Sequence, residues 1–455
     1  MGLRNWIPKT NTTTGLVRAV VCLLFFTCAP TFSPAYSVLT HEEIVDLLWQ
    51  DQIQPMLKKR FPAATEEDLL KAHAYAYGGS VVQDMGYYPF GNKYFSDLVH
   101  YVRSGDFVVN LIKESATLDE YAFALGALSH YAADNGGHPT INRVVTIEFP
   151  KLGRKFGQSA TYADDPKAHI RTEFGFDMVQ VAKNRYTSDR YHDFIGFEIS
   201  KDLLDRTFFE TYSLHLHDVF GDPDLAIGTF RRAISIVIPE MTRVALLARK
   251  QDIVKDTPNF NKKKFLYYLS RKKYEKEWGM SYRKPGAGTR ILAFFLRLVP
   301  KVGPFSALNF KVPTQRTEDM YIKSVDDTVQ GYGHLLHETK IEDLHLPNKD
   351  FDTGRETQAG EYQLTDKSYE KLLGQLAAKN FEHLTPELQQ NILAFYADLN
   401  APIWTKRNKK AWTDTLADVE KLRAAPTESA EPVGTIGNAF STVRPDVLTT
   451  EIREH

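Results

Sequence analysis

Between positions 41 and 173 the chain places five histidines and three carboxylic acids at spacings that suit metal binding: His41, Asp84, His100, His130, Asp134, His138, His169 and Glu173. Imidazole nitrogen and carboxylate oxygen are zinc donors at about 2.0–2.2 Å, and two of them at i, i+4 on a helix can reach one ion. His130 and Asp134 form such a pair inside Tyr121-Ala-Phe-Ala-Leu-Gly-Ala-Leu-Ser-His-Tyr-Ala-Ala-Asp134. His169 and Glu173 form another, four residues after the start signal Asp165-Pro166. A lone pair of this kind reads as a buried imidazole and carboxylate satisfying each other. Two pairs with Asp84, His100 and His41 upstream, each on or beside a predicted helix, read instead as a site built by facing helices.

The elements that must position these groups are helices. At about 100° per residue, Tyr121, Leu125, Leu128 and Ala132 share one face, while Phe123, Gly126, Ala127, His130 and Asp134 share the opposite one. That helix is therefore expected to be buried all round, to end at Asn135-Gly136-Gly137, and to leave His138 in the loop above it. Thr40-His-Glu-Glu43 and Thr117-Leu-Asp-Glu120 read as capping boxes. Thr65 opens a helix with Glu66, Glu67 and Asp68 in its first turn, where the dipole favours anions. Arg143–Phe149 is the main strand candidate, and no series of alternating runs follows it. Helical periodicity returns from Thr365 to Ala424, with Thr385-Pro386 as a further start. The expectation is an all-α protein: residues 36–250 a helical domain, 251–424 a basic and apolar segment followed by a helical C-terminal extension, and 425–455, rich in Thr, Glu, Pro and Ala, a disordered tail.

The order H…D…H…HxxxD…H…HxxxE resembles that of the zinc-dependent phospholipase C and P1-type nuclease superfamily. The resemblance covers roughly Tyr36 to Arg249 and implies a multi-helix bundle that holds two to three zinc ions and cleaves phosphate esters. It implies that Asp84, His100, His130 and Asp134 hold one zinc, that His138, His169 and Glu173 hold a second, and that His41 with a bridging Asp134 helps hold a third. In the family a mature N-terminal Trp completes that third site; here Tyr36 stands five residues before His41. The final carboxylate is Glu173, as in the phospholipases, where the nucleases use Asp. The implied function is a secreted phosphodiesterase that hydrolyses a phospholipid head-group ester through a metal-activated water, with Asp84 as both ligand and general base. The alternatives are a single-strand nuclease or 3′-nucleotidase on the same scaffold, and a metal-stabilised helical binding protein without catalysis.

Composition and termini bound the partners. Lys plus Arg number 56 and Asp plus Glu 57, a net charge of −1, which argues against a globally basic nucleic-acid binder. Residues 1–35 carry Arg4, Lys9 and Arg18, no acidic residue, an apolar run from Ala19 to Ala29 and small residues at Ser33 and Ala35. This reads as a secretory signal cleaved after Ala35, hence a secreted or periplasmic protein of charge −4. Both cysteines, Cys22 and Cys28, fall in that segment, so the mature chain offers no thiol chemistry. The expected partner is a phospholipid or other phosphodiester. Lys262–Lys276 with Phe265, Tyr267 and Tyr268 reads first as a solvated helix face, with peripheral membrane contact as its functional alternative; nucleic acid belongs only to the nuclease reading. Tyr87, Tyr88 and Phe90 are expected in the core, or else along a substrate cleft. His73 is expected to be structural, and His215, His217, His334, His337 and His345 to be surface or core histidines.

Overall fold

The computed structural model describes residues 37–183, 196–238, 242, 310–337 and 344–428. The expected signal segment, most of the basic and apolar stretch, and the tail beyond 428 lie outside the described residues. What is described is all-α: the only strands among these residues are a two-residue pair.

The chain opens with α1 (Val38–Leu48), which passes through a π-turn (Trp49–Ile53) into α2 (Gln54–Arg60). Next come α3 (Glu66–Val81), a 3₁₀ turn (Val82–Tyr87), α4 (Lys93–Tyr101) and α5 (Ser104–Glu114). The central helix is α6 (Leu118–Glu148), and α7 (Pro150–Phe156), α8 (Pro166–Ala182), α9 (Lys201–Tyr212), α10 (Leu216–Val219) and α11 (Pro223–Arg232) follow. The C-terminal part contributes α12 (Gln315–His337), the hairpin β1 (Lys349–Asp350) and β2 (Arg355–Glu356), then α13 (Gln363–Ala378), α14 (Pro386–Phe395) and α15 (Lys409–Ala424). Several starts are those the side chains announce. Thr65 and Asp68, and Thr117 and Glu120, form reciprocal capping boxes, while Asp165 and Thr385 accept from Ala168 N and Leu388 N. Each satisfies donors that the first helical turn leaves open.

Three local expectations are corrected. Thr40 opens no helix; α1 starts after Ser37, and the buried Thr40 hydroxyl donates to Asp177 Oδ1 at 2.6 Å instead. Arg143–Phe149 is not a strand, since residues 143–148 continue α6. Nor does α6 stop at Asn135-Gly136-Gly137: it runs through to Glu148, and His138 is a helical residue rather than a loop residue. The glycine taken for a stop serves packing. A Cβ on Gly136 would lie 2.8 Å from the Thr328 hydroxyl of α12, so the bare position lets the two helices lie close together. Tyr332 of α12 reaches over to donate to Leu125 O at 2.9 Å.

One hydrophobic core runs through the described residues and joins Leu98 and Phe123 to Phe351, Tyr369 and Leu372 of the C-terminal part. Phe176 of α8 stacks on Tyr321 of α12 with centroids 4.2 Å apart. Such burial, at roughly 25 cal/mol per Å² of apolar surface, fixes the elements that carry the polar centre. Among the described residues no helix is long and apolar enough to cross a membrane.

Candidate metal centre

All eight expected residues converge on one buried centre. α1 supplies His41, the 3₁₀ turn after α3 supplies Asp84, and the last turn of α4 supplies His100. α6 presents His130, Asp134 and His138, successive i, i+4 neighbours on one face, and α8 presents His169 and Glu173 in the same way. None is more than 2% exposed. Their donor atoms fall into three groups, within each of which all lie inside 4.8 Å: His41, His130 and Asp134; Asp84, His100 and His130; His138, His169 and Glu173. Asp134 links the groups. Its Oδ1 is 3.6 Å from His41 Nε2, and its Oδ2 is 3.2 Å from His130 Nε2 and 3.4 Å from His100 Nε2.

Backbone carbonyls aim the rings. His100 Nδ1 donates to Ser96 O, His130 Nδ1 to Ser80 O, His138 Nδ1 to Phe351 O and His169 Nε2 to Ala160 O, each at 2.8 Å. Fixing the proton on the outer nitrogen leaves the inner one with its lone pair toward the centre, as a metal-ligating imidazole requires.

Residues 40–222 match the family model described as zinc dependent phospholipase C. That segment is similar to this family. Comparison with curated proteins and with solved structures finds no match. All eight candidate positions lie inside the matched segment, and the family supports zinc-dependent hydrolysis of phosphoric esters as the chemistry of this phospholipase C domain.

The donors fit zinc on their own evidence. Both oxygens of Asp84, both of Asp134, Glu173 Oε2 and His138 Nε2 are buried and make no hydrogen bond. Buried charges of this kind are costly unless paired or bound to a metal. Nitrogen and oxygen donors without thiolate are a catalytic rather than a purely structural zinc set. The titration behaviour agrees. Burial pushes the Glu173 carboxyl well above its usual range and raises that of Asp84 against the pull of His100 and His130. Burial opposes ionisation of Asp134 too, yet His130 and His100 hold it well below the ordinary carboxylate value. Burial, with His130 beside it, drives His41 down to about 3; burial alone would lower His100, but the facing carboxylates of Asp134 and Asp84 lift it to about 10. Without a cation, protons on His100 and His130 balance Asp134, and a divalent ion would take their place.

The phospholipase C domain receives one group that the sequence reading missed. Asp352, fully buried in the turn of the β1–β2 hairpin, brings Oδ1 to 3.6 Å from His138 Nε2. The ring of Phe351 lies 5.2 Å from that of His100 and 6.1 Å from that of His130. The only local signal is the turn composition of Asn348-Lys-Asp-Phe-Asp-Thr-Gly354, which marks a hairpin and not a ligand.

The remaining expectations sort simply. Tyr87 and Tyr88 are buried in the core, whereas Phe90 is half exposed at φ 61°. His73 pairs with Asp46 at 2.9 Å under the Trp49 ring. His215 contacts Asp205, and His217, His334, His337 and His345 are exposed. Tyr36 lies outside the described residues.

Proposed function

We propose that the domain is a secreted phosphodiesterase of phospholipase C type that hydrolyses the phosphate ester of a phospholipid head group. The observation that carries this reading is the bridging position of Asp134, one oxygen toward His41 and the other toward His100 and His130. Asp84, His100, His130 and Asp134 would hold one zinc, His138, His169 and Glu173 a second, and His41 with Asp134 a third. When bound, zinc supplies charge that offsets the phosphodiester and lowers the pKa of water toward neutrality.

The chain's own part is to orient, to exclude water and to accept a proton. Asp84 Oδ1 lies 3.5 Å from His100 Nε2, and neither of its oxygens is engaged by a hydrogen bond. A buried carboxylate whose basicity is raised in this way suits proton abstraction from an attacking water. Asn142 and Tyr362, which bind Asp352, also face a cavity of about 580 Å³ whose wall includes Thr161, Arg355, Trp404 and Arg407. We assign substrate approach to this side, where the guanidinium groups of Arg355 and Arg407, which can pair with a phosphate, stand among the carboxylates of Asp164, Glu361 and Asp366. Secretion in this proposal rests on residues 1–35, and peripheral contact with a phospholipid surface on the basic and aromatic stretch from Lys262 to Lys276.

One observation favours a second reading, a metal-stabilised helical protein without catalysis: none of the eight residues is more than 2% exposed, and structural metal sites are closed where catalytic ones keep an open position. The test is to assay zinc-loaded full chain on phosphatidylcholine micelles and on single-stranded DNA in parallel. Head-group release that a chelator abolishes and zinc restores is the expected result. DNA cleavage alone would replace the proposal with the nuclease, and inactivity on both with the stabilised protein.

A further inference from the structure

We infer that Asp352 is a further protein ligand of the zinc cluster, contributed on the His138 side by a hairpin outside the segment that defines the family. The inference rests on the zinc centre and not on the identity of the substrate. Asp352 is fully buried, and its two oxygens have different surroundings. Oδ2 accepts hydrogen bonds from Tyr101 at 2.9 Å and from Tyr362, which anchors the carboxylate from behind. Oδ1 makes no hydrogen bond and points at His138 Nε2, 3.6 Å away.

The imidazole is held to meet it. His138 Nδ1 donates to the carbonyl of Phe351, the neighbour of Asp352, so Nε2 carries the lone pair. A lone pair and a carboxylate oxygen facing each other in a dry interior repel unless a proton or a metal cation lies between them. Two ligands of one tetrahedral zinc, with bonds of about 2.0–2.2 Å, stand roughly 3.4 Å apart. The observed 3.6 Å leaves room for such an ion between the two atoms. The backbone is braced as well: Asn142, one turn beyond His138, donates from Nδ2 to Asp352 O at 2.7 Å, and Asp350 Oδ1 accepts from Asp352 N at 3.0 Å. Partners behind a carboxylate are the usual means of fixing a metal ligand.

The direct test is zinc-edge anomalous diffraction from crystals of the zinc-loaded full chain. A zinc within about 2.3 Å of Asp352 Oδ1 is expected; zinc at His138, His169 and Glu173 with Oδ1 more than 3 Å away would overturn the inference and leave the centre intact. No zinc at all would overturn both. In solution, Asp352→Asn keeps the side chain's volume and should lower zinc affinity by more than about 100-fold, while shifting the visible bands of the cobalt-substituted protein. Tyr362→Phe, which removes the hydrogen bond to Oδ2 and one accepted from Ala163 N but nothing on the Oδ1 side, should leave those bands in place. If Asp352→Asn weakens zinc but leaves the cobalt spectrum unchanged, Asp352 positions His138 without ligating, and the inference is wrong.

Discussion

Gly354 lies against the carbonyl of Asn135: a Cβ added to the glycine would stand 2.7 Å from that oxygen. Pro139, four residues further along α6, has no N–H to offer the same carbonyl. The hairpin therefore enters where the helix lacks one hydrogen bond, and it does so with φ at +69°, a conformation that side chains other than hydrogen rarely adopt. Replacing Gly354 with Ala should cost about 1–3 kcal/mol through overlap and strain. Urea unfolding of the full chain measures this. Because Phe351 and Asp352 ride on the same turn, zinc affinity should fall along with stability.

Asp134→Asn removes the charge shared by three imidazoles while keeping the shape. The variant should bind fewer zinc ions per chain than the parent, and hydrolysis of a phosphodiester substrate should fall by more than about 100-fold. Elemental analysis after dialysis against limiting zinc gives the count. A full complement with normal turnover would show that Asp134 is not a bridge.

Stripping the metal should destabilise the fold before it unfolds it. Four carboxylates, Asp84, Asp134, Glu173 and Asp352, then stand in a dry interior with only imidazole protons as counter-charges. Zinc at a thousand times its dissociation constant should return about 4 kcal/mol of stability. Thermal melts with chelator and with graded free zinc should show a midpoint that climbs with concentration. A midpoint indifferent to zinc would contradict the centre.

A pH effect should arise at Asp177, which is not a proposed ligand. Burial lifts its carboxyl from 3.8 to about 6, against hydrogen bonds from Thr40, Ser37 and Leu39 N that favour the charged form. A carboxyl whose folded pKa exceeds the unfolded one binds more protons in the native state, so its contribution is intact below about 4 and declines as pH rises to about 6. Asp177→Asn should flatten that part of the profile. Parent and variant compared by denaturant titration between pH 4 and 7, both with chelator, provide the measurement.

The N-terminal ligand set was legible because its chemistry is local. HxxxD and HxxxE set two donors on one helical face wherever a helix forms, and the capping residues Thr117 and Asp165 announce where those helices begin. His138 was identified as a donor but misplaced, because Asn-Gly-Gly signals helix termination while here Gly136 answers to the approach of Thr328 from a distant helix. Thr40 failed in the same way: its hydroxyl serves Asp177, and Ser37 takes the capping position. Asp352 was out of reach. Its neighbour Phe351 is 213 residues from His138, it sits in a hairpin turn rather than on a helix where i, i+4 donors would share a face, and only tertiary packing brings it to the centre.

The hairpin's placement bears on how the protein can be handled. An excised fragment spanning 40–222 would keep every residue by which the family is recognised, yet His138 would lose the carbonyl that sets its tautomer and His100 the ring that shields it from solvent. Such a fragment is not a miniature of the whole: the recognisable stretch is smaller than the unit that packs around the centre, and expression plasmids should be drawn to run past Leu422.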